Sequence, residues 1–327
     1  MSAPVWRGLW VRVKRHWGVI RKVLTGCFVA LVLTLLGMAV VEIDWGEVLA
    51  AIHKLPGKAL WLAALITAIS YAVYSSFDLL GKWYTEHELS WWRTMMVGFI
   101  SYAFTMTMGA PVGGLGLRLR LYAKQGLQQG VIMRVMGLSL TTNWMGYTLL
   151  AGAIFAAGMV ELPPGWKLDN GPLRLIGAVM VAAGFAYLGL CAFSRTRSWT
   201  VLGHEIELPS IGMAVLQISL AILNWMLIGA VIYVLLQQHI SYPMVLGALL
   251  ISAIAGALAH IPGGIGVIES VFIALLGASM ARAEILGSLL VYRAIYYLAP
   301  LLLAGAWYLA AEVKMRKFTR HANCSPK

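Results

Sequence analysis

Apolar residues run in long blocks along the chain, and short polar stretches separate these blocks. A block of about 20 apolar residues is long enough to cross a bilayer as a helix. The pattern therefore predicts an all-α polytopic membrane protein with about eight hydrophobic segments. The predicted segments are 23–41, 59–77, 94–112, 131–159, 173–193, 210–235, 244–280 and 285–311.

Composition agrees with this class, since 60% of the residues are hydrophobic and only 12% are charged. No polar stretch between the segments could hold a soluble catalytic domain, so we predict one membrane domain over 23–312. The first apolar run lacks a small-residue cleavage site and is expected to be retained. Basic residues crowd the flanking stretches 1–22 and 313–327, which predicts that both termini are cytoplasmic. Because these charges flank membrane segments, the net charge of +12 does not indicate a nucleic-acid partner.

Two of the segments are interrupted by glycine and proline. Proline removes a backbone donor and glycine admits conformations that no helix uses, so the chain unwinds where unpaired amides are costly. Such breaks are typical of transport sites, although a glycine-rich packing kink would give the same pattern. The predicted break residues are Gly113, Gly114 and Gly116 in the first half and Pro262, Gly263, Gly264 and Gly266 in the second.

The distribution of basic residues separates two topologies. With eight full crossings, 15 of the 25 lysines and arginines face the cytoplasm and 9 face outward. If the third and seventh segments are re-entrant hairpins, these numbers become 19 and 5, which obeys the positive-inside rule. The halves 23–159 and 173–312 then form an inverted repeat of span, span, hairpin and span. Paired interruptions in corresponding positions indicate a substrate site near the midplane, with chance similarity of two kinks as the alternative.

Basic and aromatic residues follow the first break, where Arg118, Arg120 and Tyr122 alternate with leucines. Freed backbone amides and guanidinium groups both favour an anion, and a lipid phosphate is the natural candidate. The alternative is a positive-inside anchor at the membrane edge. We assign Lys124 and Arg134 to that anchor.

The second half carries charges within its apolar segments. Arg293 lies well inside the last segment, where a charged side chain usually faces a partner or a water-filled path. Either Arg293 pairs with Glu269, or it binds phosphate directly while Glu269 contacts a lipid amine or caps the helix after Gly266. His260 is a candidate proton carrier or a packed, hydrogen-bonded histidine. Asn224 is expected to hold helices together.

Other kinds of chemistry find little support in the sequence. The three cysteines do not form a disulfide framework, and the seven histidines form no HxxxH or HExxH pair. No catalytic triad, P-loop or dinucleotide fingerprint can be assembled. We therefore predict no metal, no cofactor and no enzymatic activity.

Three motifs resemble the lysylphosphatidylglycerol synthase transmembrane-region family. They are Gly113-Gly114-Leu115-Gly116-Leu117-Arg118-Leu119-Arg120-Leu121-Tyr122, Ile261-Pro262-Gly263-Gly264-Ile265-Gly266-Val267-Ile268-Glu269, and Tyr292-Arg293-Ala294-Ile295-Tyr296-Tyr297 with Pro300. The resemblance covers nearly the whole chain. It implies that the protein handles or translocates phospholipids across a bacterial cytoplasmic membrane. Anionic phospholipids are the expected partners. The matching polar positions are Arg118, Arg120, Glu269 and Arg293. The predicted substrate-binding residues are these four together with Tyr122 and Tyr296.

The leading functional hypothesis is therefore a phospholipid translocase, or flippase, whose arginines bind the headgroup phosphate near the two breaks. Family members of the synthase type continue into a soluble aminoacyl-lipid synthase domain, whereas this chain stops at Lys327, so lipid aminoacylation is not carried over. One alternative is a non-transporting membrane partner of a lipid-synthesising enzyme. Another is an intramembrane enzyme that acts on lipid headgroups. The sequence does not decide the oligomeric state.

Overall fold

The computed structural model describes residues 45–162, 170–194, 198–201, 204–259, 264 and 266–310. The chain divides into two compact units, Met1–Glu47 and Val48–Lys327, and the first is described only at residues 45–47. Several predictions fall outside the described residues. These are the first segment 23–41, both basic ends 1–22 and 313–327, and the residues His260, Pro262 and Gly263.

Helices account for most of the described residues. In chain order they are α1 (Trp45–Lys54), α2 (Gly57–Thr85), α3 (Trp91–Met108), a first π segment (Ala110–Leu117), α4 (Arg118–Lys124), α5 (Gln129–Ala156), α6 (Asn170–Phe193), α7 (Ile211–Leu235), α8 (Tyr242–Ala259), α9 (Val267–Leu276), α10 (Arg282–Tyr292) and a second π segment (Arg293–Leu298). The last helical region continues to Ala310.

Five of the described helices are long and apolar enough to cross a membrane, judged by length and composition. They are Gly57–Thr85, Asn170–Phe193, Ile211–Leu235, Tyr242–Ala259 and Arg282–Ala310. The predicted all-α polytopic membrane fold is confirmed. The number of crossings stays a prediction.

The third predicted segment folds as a hairpin of α3 against the first π segment and α4. The chain turns at Gly109, whose φ of 85° is left-handed and therefore suits glycine. After the turn, Gly113 packs directly on the α3 backbone at Phe104 and Thr105. The hairpin ends near its start, since the Tyr122 ring lies 6.2 Å from the ring of His87, which precedes α3. The two ends of this hairpin therefore lie on one side of the fold.

The seventh predicted segment also contains two helices that pack against each other, α8 and α9. Gly256 of α8 lies beside Gly264, since a Cβ on Gly256 would be 3.8 Å from the Gly264 Cα. Helix α9 has 10 residues, which rise about 15 Å, half of a hydrocarbon layer of about 30 Å. The division into two related halves stays a prediction. Whether the hairpins are re-entrant in a membrane stays a prediction.

Helices α2 and α7 are the second helices of the two predicted halves, and they pack against each other. At their contact the buried hydroxyl of Ser70 donates to Oδ1 of Asn224 at 2.8 Å. Asn224 therefore links two helices, as expected for an amide in an apolar helix.

A short antiparallel β-hairpin, β1 (Ser198–Val201) and β2 (His204–Glu207), joins α6 to α7. Its register pairs Ser198 with Glu207 and Val201 with His204. The hydrophobic pattern did not predict it, because each strand is only four residues long and lies in a polar connection.

The close approach at Gly113 predicts the effect of a single methyl group. Gly113→Ala places a Cβ on the Thr105 amide nitrogen, so we expect a loss of about 1–3 kcal/mol from overpacking. Gly114→Ala is the matched control, because its nearest neighbour, Thr105 Oγ1, would be 3.4 Å away. Thermal unfolding of the purified protein in detergent measures both. Equal melting temperatures for the two variants would contradict the hairpin packing.

The hairpin geometry also predicts which side of the membrane each loop faces. In a variant without the native cysteines, a cysteine at the exposed Gln128 should resist an impermeant thiol reagent added outside intact cells. A cysteine at the exposed Asn170, the first residue of α6, should react. Labelling of Gln128 from outside would restore a full crossing by the third segment and remove the inverted repeat.

Candidate functional site

Glu269 and Arg293 form an ion pair beside the second helix break. Arg293 Nε donates to Glu269 Oε1 at 2.6 Å, and Nη2 donates to Oε2 at 3.0 Å. The same Nη2 donates to the carbonyl oxygen of Gly264 at 3.2 Å. This bidentate geometry is the strongest form of a carboxylate–guanidinium contact. The predicted pairing of the two residues is confirmed.

Glu269 also caps the helix that restarts after the break. Gly266 has a φ of 80°, and its amide donates to Glu269 Oε2 at 3.0 Å. A carboxylate in the first turn is stabilised by the helix dipole. The predicted cap and the predicted ion pair are therefore both present on one side chain. The pair is still accessible, with 17% of the Arg293 side chain and 22% of the Glu269 side chain exposed.

A second ion pair lies in the first half, between Asp78 of α2 and Arg118 of α4. Arg118 Nη2 lies 3.2 Å from Asp78 Oδ1, and the two side chains are 5% and 0% exposed. Tyr122, one helical turn after Arg118, donates its hydroxyl to Asp78 Oδ2 at 2.8 Å. This cluster is closed to solvent, in contrast to the pair at Glu269.

A cluster of tyrosines bridges the two ion pairs, and we call it the tyrosine cluster. The Tyr102 ring stacks on Tyr74 at a centroid distance of 3.6 Å, and its hydroxyl bonds the Tyr296 hydroxyl at 2.9 Å. Tyr71 donates to the Tyr296 carbonyl at 2.9 Å, and Ser70 bonds the Tyr296 hydroxyl at 2.8 Å. Because Tyr74 neighbours Arg118 and Tyr297 neighbours both Tyr296 and Arg293, the contacts run without interruption between the pairs. The members are Tyr71, Tyr74, Tyr102, Tyr292, Tyr296 and Tyr297.

The predicted substrate residues therefore fall into different environments. Glu269 and Arg293 share one accessible pair, while Arg118 and Tyr122 are buried around Asp78. Arg120 is half-buried, with its guanidinium carbon 5.6 Å from the ring centroid of Tyr308. Two residues apart on a helix, Arg118 and Arg120 face different directions. They contact different parts of the fold rather than lining one cavity.

The hydrophobic pattern does not reveal Asp78. The structure places Asp78 between Arg118 and Tyr122, and we call these three residues the first-half cluster. Asp78 follows directly on the predicted segment 59–77 and therefore resembles a polar boundary. Helix α2 continues to Thr85, so Asp78 lies about two turns inside it. The apolar residues that follow, Leu79 and Leu80, are the signal that this carboxylate is internal.

His87 lies in the loop between α2 and α3, at the end of the first-half cluster. Burial, helped by the charge of Lys82, lowers the pKa of His87 below its usual value. Lys82 itself donates to the backbone carbonyl of His87 at 2.6 Å. The neutral form of His87 is therefore favoured, and its ring packs near Tyr122.

The accessible ion pair predicts energetic coupling between its members. Glu269→Gln and Arg293→Gln should each cost about 1–3 kcal/mol, because each leaves a partly buried group unpaired. The double variant should lose clearly less than the sum. Thermal unfolding of the four proteins in the same detergent measures this. Strictly additive losses would mean that the two side chains do not depend on each other.

The chain is similar in sequence to members of a known protein family. Residues 23–304 match the model of the lysylphosphatidylglycerol synthase TM region. The chain is 44% identical to inner membrane protein YbhN of Escherichia coli, over 92% of this chain and 95% of that protein. It is 30% identical to the protein slr0712 of Synechocystis, over 79% of this chain and 80% of that protein.

A more distant relative is the phosphatidylglycerol lysyltransferase of Bacillus subtilis, which is 24% identical over 83% of this chain. The match covers only 32% of that enzyme. The family match spans both hairpin regions and both ion pairs. The chain is thus a membrane protein that belongs to the lysylphosphatidylglycerol synthase transmembrane-region family.

Proposed function

We propose that this protein is a phospholipid translocase of the bacterial cytoplasmic membrane, and that Arg293 and Glu269 form its headgroup site. Arg293 binds the phosphate, and Glu269 holds the guanidinium in place and accepts it again when the lipid leaves. The observation that carries the proposal is a strong ion pair that remains 17–22% exposed at a helix break among membrane-length helices.

The depth of this pair supports a transport role. A charge among apolar helices is expensive and usually serves an ion or substrate path. The pair lies beside the start of α9, about half a hydrocarbon thickness from the other end of that helix. In this proposal the far end of α9 lies at the membrane surface, so a headgroup bound at the pair has travelled about half of the way between the leaflets. Unwound backbone next to a charged pair is the arrangement that transporters use at their midplane.

The chemistry of Arg293 suits a phosphate. A guanidinium that binds two carboxylate oxygens can bind two phosphate oxygens in the same fork. The two anions therefore compete for Arg293, and displaced Glu269 retains the Gly266 amide as a partner. The ligand exchange leaves no charge without a partner.

The relatives favour an anionic lipid as the first substrate to test. The distant relatives in Bacillus subtilis and Staphylococcus aureus are named phosphatidylglycerol lysyltransferases. We therefore take phosphatidylglycerol as the probe. In this proposal Tyr296 positions the site, because its hydroxyl is already bonded to Ser70 and Tyr102. Arg120 remains a second candidate for a phosphate contact.

The test is movement of fluorescent phosphatidylglycerol between leaflets of proteoliposomes, measured with a membrane-impermeant quencher. Arg293→Gln should slow this movement about tenfold to a hundredfold, because it removes charge-assisted hydrogen bonds of about 1.5–3 kcal/mol. Arg293→Lys should restore only part of the rate, since a point charge cannot reproduce the fork.

Arg134→Gln is the matched control, because Arg134 is exposed on α5 and assigned to the membrane-edge anchor. Its rate should equal that of the wild-type protein. Equal rates for Arg293→Gln and Arg134→Gln would remove Arg293 from the site. No movement by the wild-type protein above empty liposomes would favour the alternative, a membrane partner of a lipid-synthesising enzyme.

A further inference from the structure

The two ion pairs differ in how firmly each carboxylate is held. Glu269 accepts two hydrogen bonds from Arg293 and one from the Gly266 amide. Among the described residues, Asp78 accepts one hydrogen bond, from Tyr122 to Oδ2. Its Oδ1 lies 3.2 Å from Arg118 Nη2 and accepts no hydrogen bond within the described part of the chain. Hydrogen bonds to a carboxylate stabilise its charged form, and the Asp78 anion has fewer of them than the Glu269 carboxylate.

Burial acts in the same direction. Asp78 is 0% exposed, and removal of a carboxylate from water disfavours its charged form. Helix α3 approaches from one side, where a Cβ on Gly98 would lie 3.5 Å from the Asp78 carboxyl carbon. The contact with Arg118 and the hydrogen bond from Tyr122 therefore have to offset the complete loss of solvent around Asp78.

The side chains that face Asp78 come from α2, α4 and α5. They are Arg118 and Tyr122 from α4, Tyr74 from its own helix and Ser139 from α5. Arg118 is the one charged group among them. Its Nε has no hydrogen-bond partner within the described residues, so Asp78 is its main anchor.

We propose that Asp78 is a proton-binding site whose protonation releases Arg118 for the phosphate of a lipid headgroup. The proton adds to Oδ1, the carboxylate becomes a neutral carboxylic acid, and Arg118 keeps its positive charge. Arg118 then lies unpaired at the end of the first helix break and attracts an anion. The headgroup part of this inference rests on the proposed function, whereas the proton site does not.

The position of the pair fits such coupling. Tyr122 joins Asp78 to the loop that carries His87. On the other side, the tyrosine cluster joins Arg118 to Arg293. A change at Asp78 is therefore connected both to the end of the fold where the first hairpin begins and ends and to the accessible ion pair. Two sites on corresponding hairpins would then exchange a headgroup according to the protonation state of one carboxylate.

The first test needs no transport. Infrared difference spectra of the full-length protein at falling pH should show the carbonyl band of a protonated carboxylic acid in a dry environment. Asp78→Asn should remove this band, and Glu269→Gln should leave it in place. A band that survives in Asp78→Asn, or no band over the pH range in which the wild type is folded, would overturn the proposal.

A double variant controls for loss of the band through misfolding of Asp78→Asn. Asp78→Asn leaves Arg118 as an uncompensated buried charge, so the double variant Asp78→Asn/Arg118→Gln, which removes both charges, is measured in parallel. It should also lack the band. The single variant His87→Gln should retain the band, because His87 does not contact the carboxylate.

The second test measures fluorescent phosphatidylglycerol movement in proteoliposomes at different internal pH values. Above the midpoint of the Asp78 titration, the wild-type rate should fall about tenfold for each unit rise in pH, because the protonated fraction of Asp78 falls by that factor. The double variant should lose this dependence. Movement that does not depend on pH in the wild type would refute the coupling and leave the translocase intact. A titrating Asp78 band without any lipid movement would refute the translocase and leave the proton site intact.

Discussion

The architecture depends on one constraint, that every charge and every open backbone group among apolar helices needs a partner. Glu269 meets this constraint at the second break, where it pairs with Arg293 and caps the restarting helix at Gly266. Arg293 in turn satisfies the Gly264 carbonyl. A helix break is tolerated here because a spanning helix brings a cation to the freed backbone. The same contacts of Glu269 therefore form the candidate site and stabilise the start of α9.

The first break is satisfied by different means. Gly113 lets the π segment lie directly on the backbone of α3, and Asp78 and Arg118 tie the outgoing arm to α2. In each half, one ion pair joins the second arm of a hairpin to a membrane-length helix. The two halves thus use related devices, but one pair is closed to solvent and the other is partly open. The tyrosine cluster is the physical connection between the two ion pairs.

Much of the fold follows from periodicity and residue type alone. The long apolar blocks, the breaks near Gly113 and Gly264, and the expectation that Glu269 meets Arg293 all come from the cost of polar groups in an apolar segment. That cost is local, so a single sequence displays it. The β-hairpin of Ser198–Val201 and His204–Glu207 was not predicted, since four-residue strands carry too little pattern to stand out in a polar loop.

The sequence by itself determined the class of protein, the regions where helices break and the charges that need partners. The first turn lies at Gly109, and the predicted break residues Gly113, Gly114 and Gly116 lie in the π segment that follows it. Only the tertiary structure decided which partners the charges have. Arg118 and Arg120 look alike in the sequence, yet Arg118 is buried against Asp78 while Arg120 lies over Tyr308. Asp78 directly follows the predicted segment 59–77, and only the structure shows that α2 continues past it to Thr85. Such contacts join residues that are far apart in the chain, and packing between helices, which no local pattern records, brings them together.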